Sequence, residues 1–278
     1  MENTGERHIL GIDFIDGADY YIHLLHIASY EFALNYVKGK KVLDYGCGSG
    51  YGAYMLAKEA ENVVATDLSD EAVSYSMEKF VSNNLIFKKI EDIDYQKFDV
   101  IVSFQVIEHV KNDKKYIKKL KDMLNPGGVL LITTPDRTDR LFRYIQKPWN
   151  VYHLKEYSAN SISKLLSKYF NEFDVLKISS HTELVLPEII RRKKQRFISL
   201  PCTLFFYPNF LRVFLLKFQI KLYKLYKLLT SSGQRNNQSQ KLQEMVQEKS
   251  SFLKFSSKDI EISKNPKYFT DLFVICKS

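Results

Sequence analysis

Short apolar runs alternate with helix-spaced apolar patterns along the chain as far as about residue 180. Phe98–Gln105 is almost entirely apolar, which is typical of a strand buried on both faces of a parallel sheet. From Ala18 to Val37, apolar residues recur at helical spacing, and Gly39 then ends the predicted helix. The alternation predicts a doubly wound α/β sheet that binds its ligands at the carboxyl ends of the strands. The predicted strands of this part are Val42–Asp44, Asn62–Asp67, Leu85–Phe87, Phe98–Gln105, Val129–Thr133 and Phe173–Ile178.

The composition is that of a globular protein, with 45% hydrophobic residues in a chain of 278. Cys47, Cys202 and Cys276 lie far apart and form neither a disulfide framework nor a metal-binding spacing, which predicts a reducing cytosol. The amino end lacks the charged-then-apolar pattern of a secretion signal. The net charge of +9 arises in one segment, because residues 188–229 contain ten Lys or Arg and one acid. No nucleic-acid partner is therefore expected for the rest of the chain.

The most informative stretch is Val42–Gly52, which predicts a strand, a tight turn and the start of a helix. Glycines tolerate positive φ and let a ligand approach the backbone, while the helix that follows presents unpaired N–H groups. Asp44 precedes the turn, and Asp67 ends the next apolar run, where a carboxylate can accept hydrogen bonds from both hydroxyls of a ribose. The glycines of the turn are Gly46, Gly48 and Gly50.

The pattern D-x-G-x-G-x-G with a second acid after the next strand resembles the first motif of class I S-adenosylmethionine (SAM) methyltransferases. A dinucleotide fingerprint would read G-x-G-x-x-G instead, and an ordinary glycine loop would not require the two acids. The turn Leu124–Gly128, which reads Leu-x-Pro-Gly-Gly before an apolar run, is a further match. The resemblance implies that SAM is the cofactor. The cofactor-binding residues that it implies are Asp44, Gly46, Cys47, Gly48, Gly50, Asp67, Leu68, Ile90, Glu91 and Gln105.

Two positions depart from the resembled pattern. Ser29 stands where a subset of the family has an arginine in the first helix, so no cationic partner for the cofactor carboxylate is expected from that position. Lys89 replaces the acid that usually follows the third strand. Contacts to the adenine are therefore expected from the backbone near Ile90 and from Glu91. His26 and Tyr30, on the polar side of the first helix, are candidates for closing over the cofactor or for packing alone.

The resembled fold is a seven-stranded Rossmann-like sheet, mostly parallel, with its last strand antiparallel. Leu272–Lys277 fits that last strand. The remaining residues before it then form an insertion into the sheet. The predicted domains are an N-terminal helical cap (1–40), a SAM-binding core (41–179), a basic and aromatic helical insertion with a polar linker (180–267) and the final strand (268–278).

A narrower resemblance, to methyltransferases of bacterial surface glycans or nucleotide sugars, is carried by Gly5–Arg7 and by the S-F-x-x-I-E-H run Ser103–His109. A sugar hydroxyl must lose its proton when it is methylated, which calls for a base near the end of the fourth or fifth strand. His109 and His153 are the candidates. Alternatively they shape the crevice, and an amine acceptor would need neither as a base. Because no His and carboxylate cluster shows metal spacing, no metal is expected.

The insertion contains a polybasic run, Arg191–Arg196, an apolar and aromatic piece, Phe197–Leu229, and a polar, glutamine-rich piece, Ser231–Ser251. Its apolar run holds two prolines and is too short to span a bilayer. The middle piece predicts a basic amphipathic helix, so residues 191–229 are expected to bind an anionic membrane surface. Packing on the domain and recognition of a phosphate-bearing substrate are the alternatives. The predicted apolar stripe is Phe214, Phe218, Leu222, Leu225 and Leu229, opposite Lys217, Lys221, Lys224 and Lys227.

The first hypothesis is a cytoplasmic enzyme, attached peripherally to the inner face of the plasma membrane, that O-methylates a sugar of a lipid-linked or nucleotide-linked glycan. The second resembles the ubiquinone and menaquinone pathway methyltransferases, in which an apolar insertion would bind a prenyl tail. The third is a non-catalytic SAM-binding domain that acts as a membrane-assembly partner. The intact Asp44, Gly46, Gly48 and Asp67 argue against this third hypothesis, whereas Ser29 and the altered loop at Lys89 leave it open.

Overall fold

The computed structural model describes residue 14 and residues 16–93, 96–137, 145–231 and 251–278. Within these residues, one mixed sheet of eight strands carries helices on both faces. The strands are β1 (Lys41–Tyr45), β2 (Asn62–Asp67), β3 (Leu85–Lys89), β4 (Phe98–Phe104), β5 (Leu124–Pro135), β6 (Glu172–Ser180), β7 (Ile260–Ser263) and β8 (Asp271–Lys277). The helices are α1 (Gly17–Val37), α2 (Tyr51–Leu56), α3 (Asp70–Lys79), α4 (Asp113–Asp122), α5 (Ala159–Leu166), α6 (Thr182–Ile198) and α7 (Asn209–Ser231).

The strands lie in the order β3-β2-β1-β4-β5-β8-β6-β7. Strands β1 to β5 are parallel, and β8 runs antiparallel between β5 and β6, which confirms the predicted Rossmann-like sheet and its antiparallel last strand. The sheet has one strand more than predicted, because β7 pairs antiparallel with β6 and places Ile262 opposite Ile178. Four residues of alternating character among lysines and serines are too short a signal for a strand.

Successive residues of the central strands enter two different cores. In β1, Val42 packs in the cluster that includes side chains of α1, α2 and α6, whereas Leu43 packs in the cluster beneath α4 and α5. In β4, Val100 and Ile101 divide in the same way. Both faces of the sheet are therefore covered, which explains why these strands are continuous apolar runs rather than alternating ones.

Side chains at the predicted boundaries cap the helices. The Asp16 carboxylate accepts the N–H of Asp19 at the start of α1. Ser69 caps α3 and Ser158 caps α5, since each side-chain oxygen accepts a backbone N–H from the first turn of its helix. Gly39, at φ +63°, lies just past the end of α1 and reverses the chain into β1.

The helices of the predicted insertion, α6 and α7, turn part of the basic segment inward. Arg192, Arg196 and Arg212 are 8%, 2% and 0% exposed. These three guanidiniums therefore do not belong to the surface charge that residues 191–229 were predicted to present. Within the described part of the chain, no helix combines the length and apolar content needed to cross a membrane. Gly5–Arg7 and residues 232–250 of the predicted linker lie outside the described residues.

Candidate active site

The glycine turn follows β1 and is fixed to β2 by its own backbone. The N–H groups of Gly46 and Cys47 both donate to the carbonyl oxygen of Thr66, at 2.7 and 2.9 Å. Gly46 adopts φ +92°, and a Cβ there would lie 2.5 Å from Val106. A side chain at this position would thus force both a strained backbone and a steric clash. The turn leaves its backbone open towards a cavity at the carboxyl ends of the strands.

This cavity, which we call the cofactor cavity, has a volume of about 610 Å³. Asp67 lies at its edge: its Oδ2 accepts the N–H of Gly48 at 3.0 Å, and its Oδ1 accepts the N–H of Ser69 at 2.9 Å. A carboxylate oxygen can accept more than one hydrogen bond, so Asp67 at this position is suited to bind ribose hydroxyls as well. The predicted cofactor-binding residues that line the cavity are Gly46, Cys47, Gly48, Asp67, Leu68, Ile90 and Gln105.

Three predicted cofactor-binding residues do not line the cofactor cavity: Asp44, Gly50 and Glu91. Gly50, at φ +81°, lies against α3, where a Cβ would approach the Ser76 hydroxyl to 2.5 Å. Glu91 is exposed on the turn after β3. Lys89 also stays outside the cavity and pairs with Asp70 at 3.1 Å, whereas Leu68 and Ile90 line it.

Asp44 is fully buried behind the glycine turn. Tyr30 of α1 reaches it through the core and donates its hydroxyl to the carboxylate, 3.2 Å from Oδ2. Burial raises the pKa of Asp44 to about 7, and the Tyr30 hydrogen bond opposes that rise. The Tyr30 ring fits because residue 52 is glycine, since a Cβ there would lie 1.9 Å from the ring. Tyr30 therefore closes one wall of the cofactor cavity and also supports the turn.

The raised pKa of Asp44 makes the stability of the free protein depend on pH. A carboxyl whose pKa is higher in the folded than in the unfolded state contributes stability below its unfolded value, which is lost as pH rises towards the folded value. Between about pH 5 and pH 7, we expect the free energy of unfolding of Asp44→Asn to rise by up to about 2 kcal/mol relative to that of the wild type. Denaturant unfolding without SAM measures this, with the exposed Asp70→Asn as control. An equal pH dependence in wild type and Asp44→Asn would contradict a raised pKa.

A second cavity, which we call the acceptor cavity, opens beside the first and has a volume of about 430 Å³. His26, Gln105 and His109 line both cavities, so the two meet at these side chains. Gln105 is the one described non-glycine residue with positive φ, +55°, and its amide donates to Asp271 at 3.1 Å. Strained backbone at the end of a strand is characteristic of functional sites. Burial lowers the pKa of His26 to about 4, which keeps its ring neutral at neutral pH.

The two predicted bases lie together on one wall of the acceptor cavity. The rings of His109 and His153 are 5.0 Å apart and nearly perpendicular. Nδ1 of His109 lies 3.2 Å from the carbonyl oxygen of Tyr152, so a proton on Nδ1 would donate to that carbonyl and leave Nε2 as the basic nitrogen. His153 lies deeper, with Nε2 3.1 Å from the Asn150 amide and Nδ1 3.5 Å from Glu156.

Glu108, which lies close to both histidines, was not predicted as a site residue. Its carboxyl is fully buried, and Oε2 accepts the hydroxyl of Thr134 at 3.0 Å. Oε1 accepts no hydrogen bond from the part of the chain that the structure describes. Burial raises the pKa of Glu108 to about 7, although the neighbouring His153 lowers it. Glu108 lies within the S-F-x-x-I-E-H motif, and nothing in that motif indicates that its carboxyl is buried.

Among the described residues, Glu108, His109 and His153 also form the one group whose donor atoms could together hold a metal ion, all within 4.8 Å of one another. The sequence did not reveal this cluster, because His153 is brought to Glu108 by the loop after β5 rather than by local spacing. Carboxylate and imidazole ligands suit a divalent cation. That the reaction needs no metal remains a prediction.

The loop that carries His153 is held by Arg212 of α7, another residue that the sequence did not single out. Its guanidinium donates to the backbone carbonyls of Pro148, Asn150 and His153 at 2.6, 3.0 and 3.0 Å. A planar guanidinium can bind several carbonyls in a fixed geometry. The predicted insertion thus fixes a loop that lines the acceptor cavity.

The fold and the site together define a class of protein: a Rossmann-like sheet with an antiparallel last strand, a glycine turn after β1 and an acid placed for a ribose after β2 are the features of class I SAM-dependent methyltransferases. A family model described as "Methyltransferase domain" matches residues 21–171, more than half of the chain. The protein belongs to this family, and its cofactor is SAM.

Curated relatives carry matching names. A "Probable S-adenosylmethionine-dependent methyltransferase" of Mycolicibacterium smegmatis is 30% identical over 165 residues, which cover 59% of this chain and 62% of the relative. A "Ubiquinone biosynthesis O-methyltransferase" of Rickettsia conorii is 34% identical over 120 residues, which cover 41% of this chain and 42% of the relative. The chain spans about three-fifths of the length of the mycobacterial relatives that it matches.

Among solved structures, the [4+2]-cyclase SpnF is similar with a TM-score of 0.51 and 14% identity, over 92% of this chain and 80% of that one. A likeness at this identity shows the fold alone.

Proposed function

We propose that the protein transfers a methyl group from SAM to a hydroxyl of a sugar in a lipid-linked or nucleotide-linked glycan. The observation that carries this proposal is the meeting of the cofactor cavity and the acceptor cavity at His26, Gln105 and His109. A methyl group on a sulfonium in the first cavity would face an acceptor atom in the second. Such an arrangement suits an in-line displacement, which depends mainly on holding three atoms collinear in a crevice that excludes water.

The residues of the acceptor cavity support a hydroxyl as the nucleophile. An alcohol loses its proton as it is methylated, and His109 lies at the junction of the two cavities with a carbonyl at Nδ1. His153, which lines the acceptor cavity only, is the second candidate. Glu108 adds a buried carboxyl close to both of them, and its Oε1 could accept a hydrogen bond from the acceptor.

The lining of the acceptor cavity favours a polyhydroxylated acceptor over an apolar one. Amide, carboxyl, imidazole and guanidinium groups lie on its wall beside apolar side chains such as Trp149 and Leu216, and a sugar ring likewise combines hydroxyl groups with apolar C–H faces. Each sugar hydroxyl can both donate and accept, so a polar wall of mixed donors and acceptors matches it. The polar and charged lining residues are His26, Gln105, Glu108, His109, Asn150, His153, Glu156, Glu188, Arg191, Arg192, Gln195, Arg196, Ser199, Gln219 and Asp271.

The second candidate function is methylation of a prenylated quinone precursor. Relatives named as ubiquinone biosynthesis O-methyltransferases favour it. A non-catalytic SAM-binding role is the third candidate, and the similarity of the fold to a [4+2]-cyclase shows that the sheet alone does not determine the chemistry.

Incubation of the protein with labelled SAM and an extract of lipid-linked and nucleotide sugars tests the proposal. We expect a labelled methyl ether on a sugar, formed equally well in EDTA. Label in a prenylated phenol would favour the quinone candidate, and SAM binding without any labelled product would favour the non-catalytic one. Loss of activity in EDTA that Zn²⁺ restores would show that a divalent cation takes part in the reaction, and Glu108, His109 and His153 would be its candidate ligands.

We further propose that the outer face of α7 binds an anionic membrane surface. Phe210, Phe214 and Phe218 follow one another at four-residue spacing and are 78%, 63% and 52% exposed. Exposed lysines 217, 221 and 224 flank them. Contiguous exposed aromatic residues mark interaction surfaces, and neighbouring lysines complement the charge of anionic lipids.

Replacing Phe210, Phe214 and Phe218 together with serine is expected to reduce co-sedimentation with anionic vesicles by about tenfold or more, because each buried phenylalanine contributes roughly 1.5–3 kcal/mol. The wild type is expected to bind anionic but not neutral vesicles. Val81→Ser, at an exposed apolar residue outside the insertion, is the matched control. Equal binding of the wild type to both kinds of vesicle would refute the electrostatic part of the proposal.

A further inference from the structure

A third cavity, which we call the apolar groove, lies between the start of α1, helix α6, the second half of α7 and residues 251–255. Its volume is about 1140 Å³. The side chains that make its walls apolar include Leu184, Pro187, Ile190, Ile198, Ile220 and Phe252. A concave apolar surface of this size can remove a long hydrocarbon chain from water.

The apolar groove continues into the acceptor cavity. Arg191, Gln195, Gln219 and Ile220 line both. Since the acceptor cavity in turn meets the cofactor cavity, a continuous path leads from the site of the SAM methyl group, through a polar chamber, to an apolar groove. A single molecule that follows this path would need a polar head at the methyl end and an apolar tail at the other end.

Cationic side chains stand where the polar chamber changes into the groove. Arg191 lines both cavities and is about one-third exposed, with Nε 2.6 Å from Glu188. Glu188 is shared with Arg192, at 2.5 Å, so one carboxylate faces two guanidiniums. Lys194 lines the groove one helical turn beyond Ile190. Positive charge at this boundary would attract an anionic group.

The remaining charged groups around the groove are engaged with one another or with backbone. Glu183 pairs with Lys254 at 2.8 Å, and the Asp16 carboxylate caps α1. On the chamber side, Asp271 pairs with Arg192 at 2.9 Å. Glu188 and Asp271 together balance the charges of Arg191 and Arg192. Among the described residues, Lys194 is then the cation at this boundary that no carboxylate neutralises, and the partly exposed guanidinium of Arg191 lies on the same helix.

We propose that the acceptor is an anionic amphiphile: its polar head occupies the acceptor cavity, a phosphate lies at Arg191 and Lys194, and its hydrocarbon tail lies in the apolar groove. This rests on the proposed function and narrows it to lipid-linked acceptors. Helix α7 supplies both a wall of the groove, through Ile220, and the exposed phenylalanine face, so the tail would enter from the membrane side of the same helix.

Calorimetric titration of the full chain with farnesyl phosphate, in the presence of S-adenosylhomocysteine, tests the proposal. We expect micromolar binding, and binding at least about tenfold weaker for farnesol and for inorganic phosphate, because each lacks one of the two recognised parts. Ile190→Asp, in the groove wall, is expected to weaken farnesyl phosphate binding by about tenfold or more. Arg191→Gln is expected to weaken the binding of farnesyl phosphate but not the binding of farnesol.

Val81→Asp is the matched control, and unchanged affinity for S-adenosylhomocysteine shows that each variant is folded. Equal affinity for farnesol and farnesyl phosphate would overturn the role of the cations, and wild-type binding by Ile190→Asp would overturn the role of the groove. These measurements need no methyl transfer. Methylation of a soluble nucleotide sugar at the wild-type rate by Ile190→Asp would reject the amphiphile and keep the proposed function. Binding of farnesyl phosphate without methylation of any sugar would reject the proposed function but not the binding of an anionic amphiphile.

Discussion

Asp67→Ala is expected to weaken SAM binding by about a hundredfold or more. The carboxylate stands at the end of β2 with one hydrogen bond from Gly48 and one from Ser69, and it can accept two more from the ribose hydroxyls of the cofactor. Hydrogen bonds to a charged group contribute about 1.5–3 kcal/mol each, so two of them correspond to roughly a hundredfold to ten-thousandfold in affinity. Isothermal titration with SAM measures the change.

Asp67 also holds the glycine turn, so the loss of binding must be separated from loss of the turn. Asp70→Ala removes a nearby exposed acid that lies outside the cofactor cavity, and we expect it to bind SAM like the wild type. Asp67→Asn keeps the size of the side chain and can still accept hydrogen bonds, and we expect an intermediate affinity. Wild-type affinity in Asp67→Ala would contradict the ribose assignment.

The sheet and the glycine turn were predictable because their signals are local. Val42 and Leu43 are adjacent and both apolar, which suffices to indicate a strand with two buried faces. The glycines of the turn follow directly, and Asp67 ends the next strand without any help from distant residues. Such a local pattern is enough to predict that a side chain lies at the carboxyl end of a strand. Because the strands are parallel, their carboxyl ends then lie at the same edge of the sheet.

What the sequence did not predict depends on contacts between distant segments. Tyr30 supports Asp44 because α1 crosses over the turn, and nothing near Asp44 indicates that its carboxylate lies behind the cavity instead of in it. Arg212 belongs to a basic stretch that was predicted to be exposed. It is buried instead, because it donates hydrogen bonds to backbone carbonyls of the loop after β5. A guanidinium can be buried where several backbone carbonyls accept its hydrogen bonds. The spacing of residues along the sequence does not show where such a group of carbonyls will form.

The same limit applies to the chemistry of the acceptor cavity. His109 and His153 could be named as bases because both follow strand ends, but the sequence did not rank them. The structure places His109 at the junction of the two cavities and His153 deeper, against Asn150 and Glu156. Proximity to the point where methyl group and acceptor would meet therefore favours His109.

His109→Ala is expected to lower kcat for O-methylation by roughly a hundredfold to ten-thousandfold, the range that a positioned general base contributes. SAM affinity is expected to change little, because Asp67 and the glycine turn remain. Added imidazole should restore part of the activity, which a merely structural role of the side chain would not permit. His181→Ala, at an exposed histidine before α6, is the matched control and should turn over like the wild type. A fall in kcat of less than tenfold, with no rescue, would show that His109 only shapes the crevice and would move the role of base to His153 or to an acceptor that needs none.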